Sequence, residues 1–326
     1  MRGRAIGLGL LGLGAFLLAG ALAVRLFLEP ALVKLPLDQT ASPTAVGTDI
    51  SFFDIGNQKQ LRGLEADVRQ KVQGDASSSA AGDDVAVWNF GSTITATDGT
   101  LLNAGTYRVC IDRRTAVAVD CDVDNVDDDG KIDVEGLTLT FPFGTEKRDY
   151  DVFNSTAKKA FPATFEGVET INGLEVYRFE TSIPETVIRS TEVPATMAGG
   201  KAADGSVEAD VVYSNEKTTW VEPTSGVIVT AEEHPDTVLR GPDGDTGVTI
   251  LAGDFAGTDE TIAAGVERAK DTRGKITMVQ TVLPLSLAGL GLLLLVVGAL
   301  LVRRNRSVAD DGGAVETAPV REPQVQ

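Results

Sequence analysis

The chain has 326 residues and carries 47 Asp and Glu against 29 Lys and Arg, a formal net charge of −18. Residues 26–275 hold 43 of those acids and 22 of those bases. This argues against nucleic acid as a partner, because phosphate binding needs basic stripes, and against broad docking onto anionic lipid.

The first apolar segment is Ala5 to Val24, preceded by Arg2 and Arg4. It reads as a membrane helix of about 20 residues, longer than the usual core of a signal peptide. A cleavable signal ending at Ala21-Leu22-Ala23 is the competing reading. Either way, the middle of the chain lies outside the cytoplasm.

That middle alternates apolar and polar residues with period two, between Gly- and Asp-rich turns. The strand candidates are 65–72, 85–90, 93–97, 101–109, 115–119, 134–141, 163–170, 174–183, 207–213, 218–221 and 227–232. Asn172-Gly173 between two of them is a strong hairpin signal. Ten or so antiparallel strands follow, barrel- or sandwich-like. They are too short and acidic to face lipid as a membrane barrel.

A helix is predicted from Asp259 to Thr272, with Thr258 as N-cap and acids in its first turn. Ile276 to Val302 then runs for 27 residues without a charge, enough to cross a bilayer, and Arg303, Arg304 and Arg306 follow. Those arginines place the C-terminus in the cytoplasm, as Arg2 and Arg4 place the N-terminus. The chain therefore divides into a first transmembrane helix with a short cytoplasmic tail (1–28), a β-rich extracytoplasmic domain (29–257) and an amphipathic connecting helix (258–275). A second transmembrane helix (276–302) and a disordered cytoplasmic tail (303–326) complete it. It is read as a two-pass protein of the plasma membrane.

Cys110 and Cys121 are the two cysteines, both in the exported part, and are read as a disulfide closing a short loop. The single histidine, His234, sits in a turn-like Glu-Glu-His-Pro context without a nucleophile motif, so the chain is not read as an enzyme. Asn125, Asp127, Asp129 and Asp133 fall at ligand positions 1, 3, 5 and 9 of a calcium-loop pattern, with Gly130 at the turn. Gly136 replaces the bidentate Glu, so two readings stand: a weak structural calcium clip, or a metal-free acidic turn.

Several runs resemble a known family. They are Pro36-Leu37-Asp38, Val85-Ala86-Val87-Trp88, Asp112 to Thr115, Phe141-Pro142-Phe143, Thr145 to Tyr150, and Trp220-Val221-Glu222-Pro223-Thr224-Ser225-Gly226. Together they resemble the actinobacterial membrane proteins of the porin PorA family. The resemblance implies a cell-envelope protein and transfers no catalytic residues. Trp88 and Trp220 are candidate walls of an apolar cavity that could shelter an acyl chain. On this reading the domain binds an envelope lipid or glycolipid and assists its transport or assembly. A scaffold partnering membrane transport or synthesis proteins, and a porin-like protein, are the alternatives.

Overall fold

The computed structural model describes residues 2–200 and 205–310, with side chains from 5 to 200 and from 205 to 304. It forms two compact units, one built from Met1–Leu32 with Thr277–Gln326 and a second spanning Val33–Ile276. Residues 311–326 of the expected tail lie outside the described residues. Up to Asp310 the chain is helical.

The first unit is a helix pair. α1 spans Arg2–Ala23 and passes through a π-helical turn, Val24–Leu28, into α2, Glu29–Leu32. On the other side a π-helical turn at Met278–Val282 leads into α4, Leu283–Asp310. Both α1 and α4 belong to helices long and apolar enough to cross a membrane. They pack antiparallel through facing glycines. A Cβ on Gly14 would lie 2.7 Å from the Gly291 carbonyl, and one on Gly298 would lie 2.8 Å from that of Gly7. Such close backbone approach is how helices associate where apolar burial drives nothing. Phe16 and Leu285 are among the large side chains of α1 and α4 that face outward. At the π turns Arg25 pairs with Glu29 at 3.2 Å and donates to the Gln280 carbonyl at 3.1 Å. Gln280 Nε2 donates to Glu29 at 3.0 Å.

The second unit is mainly antiparallel β. Its strands are β1 (Thr40–Ala41), β2 (Thr44–Asp54), β3 (Lys59–Gly74), β4 (Val85–Ala96), β5 (Leu101–Asp112), β6 (Asn125–Val126), β7 (Tyr150–Asn154), β8 (Lys159–Ile171), β9 (Leu174–Pro194), β10 (Ser206–Val221), β11 (Ile228–Arg240) and β12 (Thr246–Gly257). They form one sheet in the order β6-β5-β4-β3-β2-β12-β11-β10-β9-β8-β7, with β1 on β3. The Asn172-Gly173 hairpin is present, and both residues take the positive φ such a turn demands. β3 shows the patterning: Ala66, Val68 and Val72 are buried while Glu65, Asp67, Arg69 and Lys71 face solvent. That outer face suits water and is foreign to lipid.

The sheet curls into a half-barrel. Its open side is bridged by residues 113–149, where Ala118 pairs with Ile111, and Leu137 pairs with both Val117 and Val152. The expected strands 115–119 and 134–141 are reduced to these single bridges. Aromatics from both edges fill the closed end: Phe141 stacks on Phe179 at 4.8 Å, and Tyr107 meets Phe153 edge-on at 6.3 Å. Helix α3, Asp259–Thr277, lies on the outer face of the sheet over Leu174, Val176 and Val229. Thr258 caps it, accepting the Thr261 N–H at 3.2 Å.

Two loops lock the closed end. The N–H groups of Phe141, Gly144 and Thr145 donate to the carbonyls of Gly226, Thr224 and Pro223 at 2.9, 3.1 and 2.7 Å. Gly226 has φ +68°, and a Cβ there would lie 2.0 Å from the Phe141 carbonyl oxygen. Gly226→Ala is therefore expected to cost roughly 2–4 kcal/mol, from a strained backbone and a displaced loop. Denaturant unfolding of the full chain measures it, and an unmoved midpoint would show that the lock is dispensable.

Candidate functional site

The sequence-predicted positions do not come together. Trp88 is buried at the closed end, its Nε1 donating to the Pro36 carbonyl at 3.1 Å. Trp220 lies on the opposite face of the sheet, against α3, and donates to Glu169 at 2.8 Å. Phe141, Tyr150 and Phe179 fill the interior beside Trp88 rather than lining an open greasy groove. The lipid cavity expected there has no support, because aromatic packing takes up the space.

The acidic loop is a tight turn. Asp127 and Asp128 both have positive φ between the bridged Val126 and Asp129. Asp127 accepts the Thr106 N–H at 2.9 Å, and Asp129 accepts the Lys131 N–H at 3.0 Å. Among the described residues no point gathers the oxygens of Asp127, Asp129 and Asp133; the one convergence of three metal-type side chains is Cys110, Cys121 and Asp124. Its sulfurs are consumed by the Cys110–Cys121 disulfide, with Cα atoms 6.3 Å apart. Asp127 and Asp129 thus each accept a backbone N–H.

Asp124 accepts the Cys110 N–H at 2.8 Å. Burial pushes its pKa up to about 6; the Cys110 N–H pulls the other way, and Asp120 adds to the rise. The folded state therefore holds this proton more tightly than the unfolded chain. Its cost is absent below about pH 4, grows as pH rises through about 6, and is complete above that. Asp124→Asn keeps the acceptor and removes the charge. It should raise stability at pH 7.5 by on the order of 1 kcal/mol, after allowance for solvent screening, and give no gain at pH 4. Thermal unfolding at both pH values checks this; an equal gain at both would refute the charge argument.

The polar side chains that do converge lie inside the half-barrel. β10 and β11 place Lys217 opposite Glu233, Nζ to Oε1 at 2.6 Å. Asn215, only 2 % exposed, reaches the same carboxylate at 3.4 Å and accepts the His234 N–H at 3.1 Å. Tyr213 is held by Asn154 of β7 at 3.3 Å, and burial followed by the charge of Glu233 pushes its pKa up to about 12. Tyr107 of β5 is raised further by the same two causes. Burial would raise the Glu233 carboxyl as well, but Lys217 and Asn215 outweigh it and hold it below its usual value. Glu233 thus stays charged, with 32 % of its side chain accessible to solvent.

His234 faces the other way, its Nδ1 2.6 Å from Asp254 on the exposed outer face. It sits within β11 and not in a turn. Pro235 offers no N–H to the ladder, and the neighbouring His234 N–H goes to the Asn215 side-chain oxygen. Neither Lys217 nor Glu233 was singled out in the sequence. The available signal was the alternation Tyr213, Asn215, Lys217, Thr219, Val221, a buried-face register that turns polar at its centre.

Comparison with known proteins places this geometry. The model of the family described as Porin PorA matches residues 6–300. A protein of Corynebacterium amycolatum named Porin PorA is 27 % identical over 376 aligned positions, covering 90 % of this chain and 97 % of its own. One of the same name from Corynebacterium resistens is 25 % identical over 395 positions, covering 90 % and 95 %. With the match running from α1 into α4, the chain belongs to the porin PorA family.

Proposed function

We propose that this chain is a porin-like membrane protein that passes small polar solutes and does no chemistry of its own. The observation that carries the reading is the family match across nearly the whole chain, both candidate spans included. In this reading the helix pair crosses the bilayer. The β domain lies outside the cytoplasm, and both termini lie inside beside Arg2, Arg4, Arg303 and Arg304.

The strands are poor candidates for the crossing, because their outer faces carry Glu65, Asp67, Arg69 and Lys71. One helix pair cannot conduct either. The Gly7–Gly298 and Gly14–Gly291 contacts close it along its seam. A water path therefore needs several copies of the pair around it, with the polar interior of the β domain as the part that meets the solute.

Purified full-length protein in a planar bilayer tests this. Stepwise conductance is expected, rising more steeply than linearly with the amount of protein, and Gly14→Leu should abolish it while leaving the strand signal in circular dichroism. Folded protein that never raises conductance above that of the bare bilayer would end the porin-like reading.

A further inference from the structure

A cleft of about 430 Å³ lies between the segment that follows the acidic turn and the β7–β8 hairpin. Its volume is in the range of small-ligand sites. Lys131, Asp133 and Glu135 line one wall, and they alternate with Ile132 and Val134, which pack against the core. The bridge from Leu137 to Val152 of β7 holds the end of that wall in place. The other wall is the hairpin turn, with Lys158 and Lys159. Among the described residues none of these five charged side chains has a hydrogen-bond or ion-pair partner in the protein. Opposite charges thus border one cleft without meeting across it. Lys158 stands out further. It is half-buried, and its φ of +55° is one that Gly or Asn adopts with less strain, yet a long cationic side chain is placed there.

We propose that this cleft binds a small zwitterion of the amino-acid or short-peptide class, its carboxylate toward Lys158 and Lys159 and its ammonium toward Asp133 and Glu135. A plain anion would also face two carboxylates, and a plain cation would face three ammonium groups. A dipolar solute complements both walls at once, and like-charge contacts reject the other two classes. Each of its ends makes charge-assisted hydrogen bonds with groups that have no partner in the protein. Ile132 offers the apolar surface against which the carbon skeleton rests. Lys131, Asp133, Glu135 and Lys159 remain solvent-exposed, so water screens these contacts and keeps the binding weak. The site stands on its own walls and does not depend on the porin-like reading.

Alanylalanine is the probe, with its N-acetyl form as the anion and its C-terminal amide as the cation. Binding to the full-length protein in a non-ionic detergent at neutral pH is read by ligand-observed NMR, which suits weak ligands. Saturable binding of alanylalanine is expected, several-fold tighter than either blocked form. Lys158→Asn suits the local backbone and removes the half-buried ammonium, so it should weaken alanylalanine several-fold. Circular dichroism checks that the variant folds. Asp133→Asn is the second variant, on the opposite wall, and should narrow the gap between alanylalanine and its N-acetyl form. No saturable binding, a blocked form bound as tightly as alanylalanine, or binding unchanged by both substitutions would each overturn the proposal.

Discussion

The β domain depends on bringing together two strands that its own hydrogen bonding keeps far apart. β5 and β7 lie near opposite ends of the strand path, yet Tyr107 of one and Phe153 of the other share a core. Burial of Trp88, Tyr107, Phe141, Tyr150, Phe153 and Phe179 supplies the drive, at about 2 kcal/mol for each large side chain. Burial has no direction, however, and would accept many registers. The loop of Phe141–Thr145 and the turn of Glu222–Gly226 give it one, through three backbone hydrogen bonds and a glycine that leaves no room for a Cβ. Both runs belong to those that resemble the porin PorA family. In this fold they close the sheet on itself.

The same division explains what could be read from the residues alone. The spans, the disulfide, the Asn172-Gly173 hairpin and the capped helix at Thr258 are each written locally, in a run length, a pair of cysteines, a turn dipeptide or a cap. β2 and β12 were missed, and they are the pair that joins the two halves of the sheet. Their alternation is broken by Gly47 and Gly253, which a local reading takes for turns. In the fold these glycines are small because Ile50 and Phe255 press against them: a Cβ on Gly47 would meet both at 2.7 Å, and one on Gly253 would meet Ile50 at 2.8 Å. A glycine selected by a neighbour distant in sequence looks the same as one selected by a turn.

The candidate site was illegible for a related reason. β10 was expected as 207–213 and 218–221, and β11 as ending at 232, but both run unbroken through the gaps. The missing stretches contain Asn215, Lys217 and Glu233. Polar residues on the inner face erase the apolar alternation by which a strand is recognised, so the strands seem to stop where their interior turns polar. In the acidic loop the carboxylates of Asp127 and Asp129 accept the N–H groups of Thr106 and Lys131.

What requires explanation is why an interior that could be apolar is not. A buried ion pair is weak evidence for stability, since well-packed apolar residues of similar volume often serve as well or better. Part of the answer is structural. Pro184 and Pro235 stand on the strands flanking Asn215, and β9 bulges against β10 between Tyr213 and Asn215. Proline removes a ladder donor on each side, and beside Pro235 the Asn215 amide oxygen accepts the His234 N–H. Glu233 then steadies that amide, and Lys217 neutralises Glu233. This chain of need begins at the prolines and accounts for Asn215, Glu233 and Lys217 in turn.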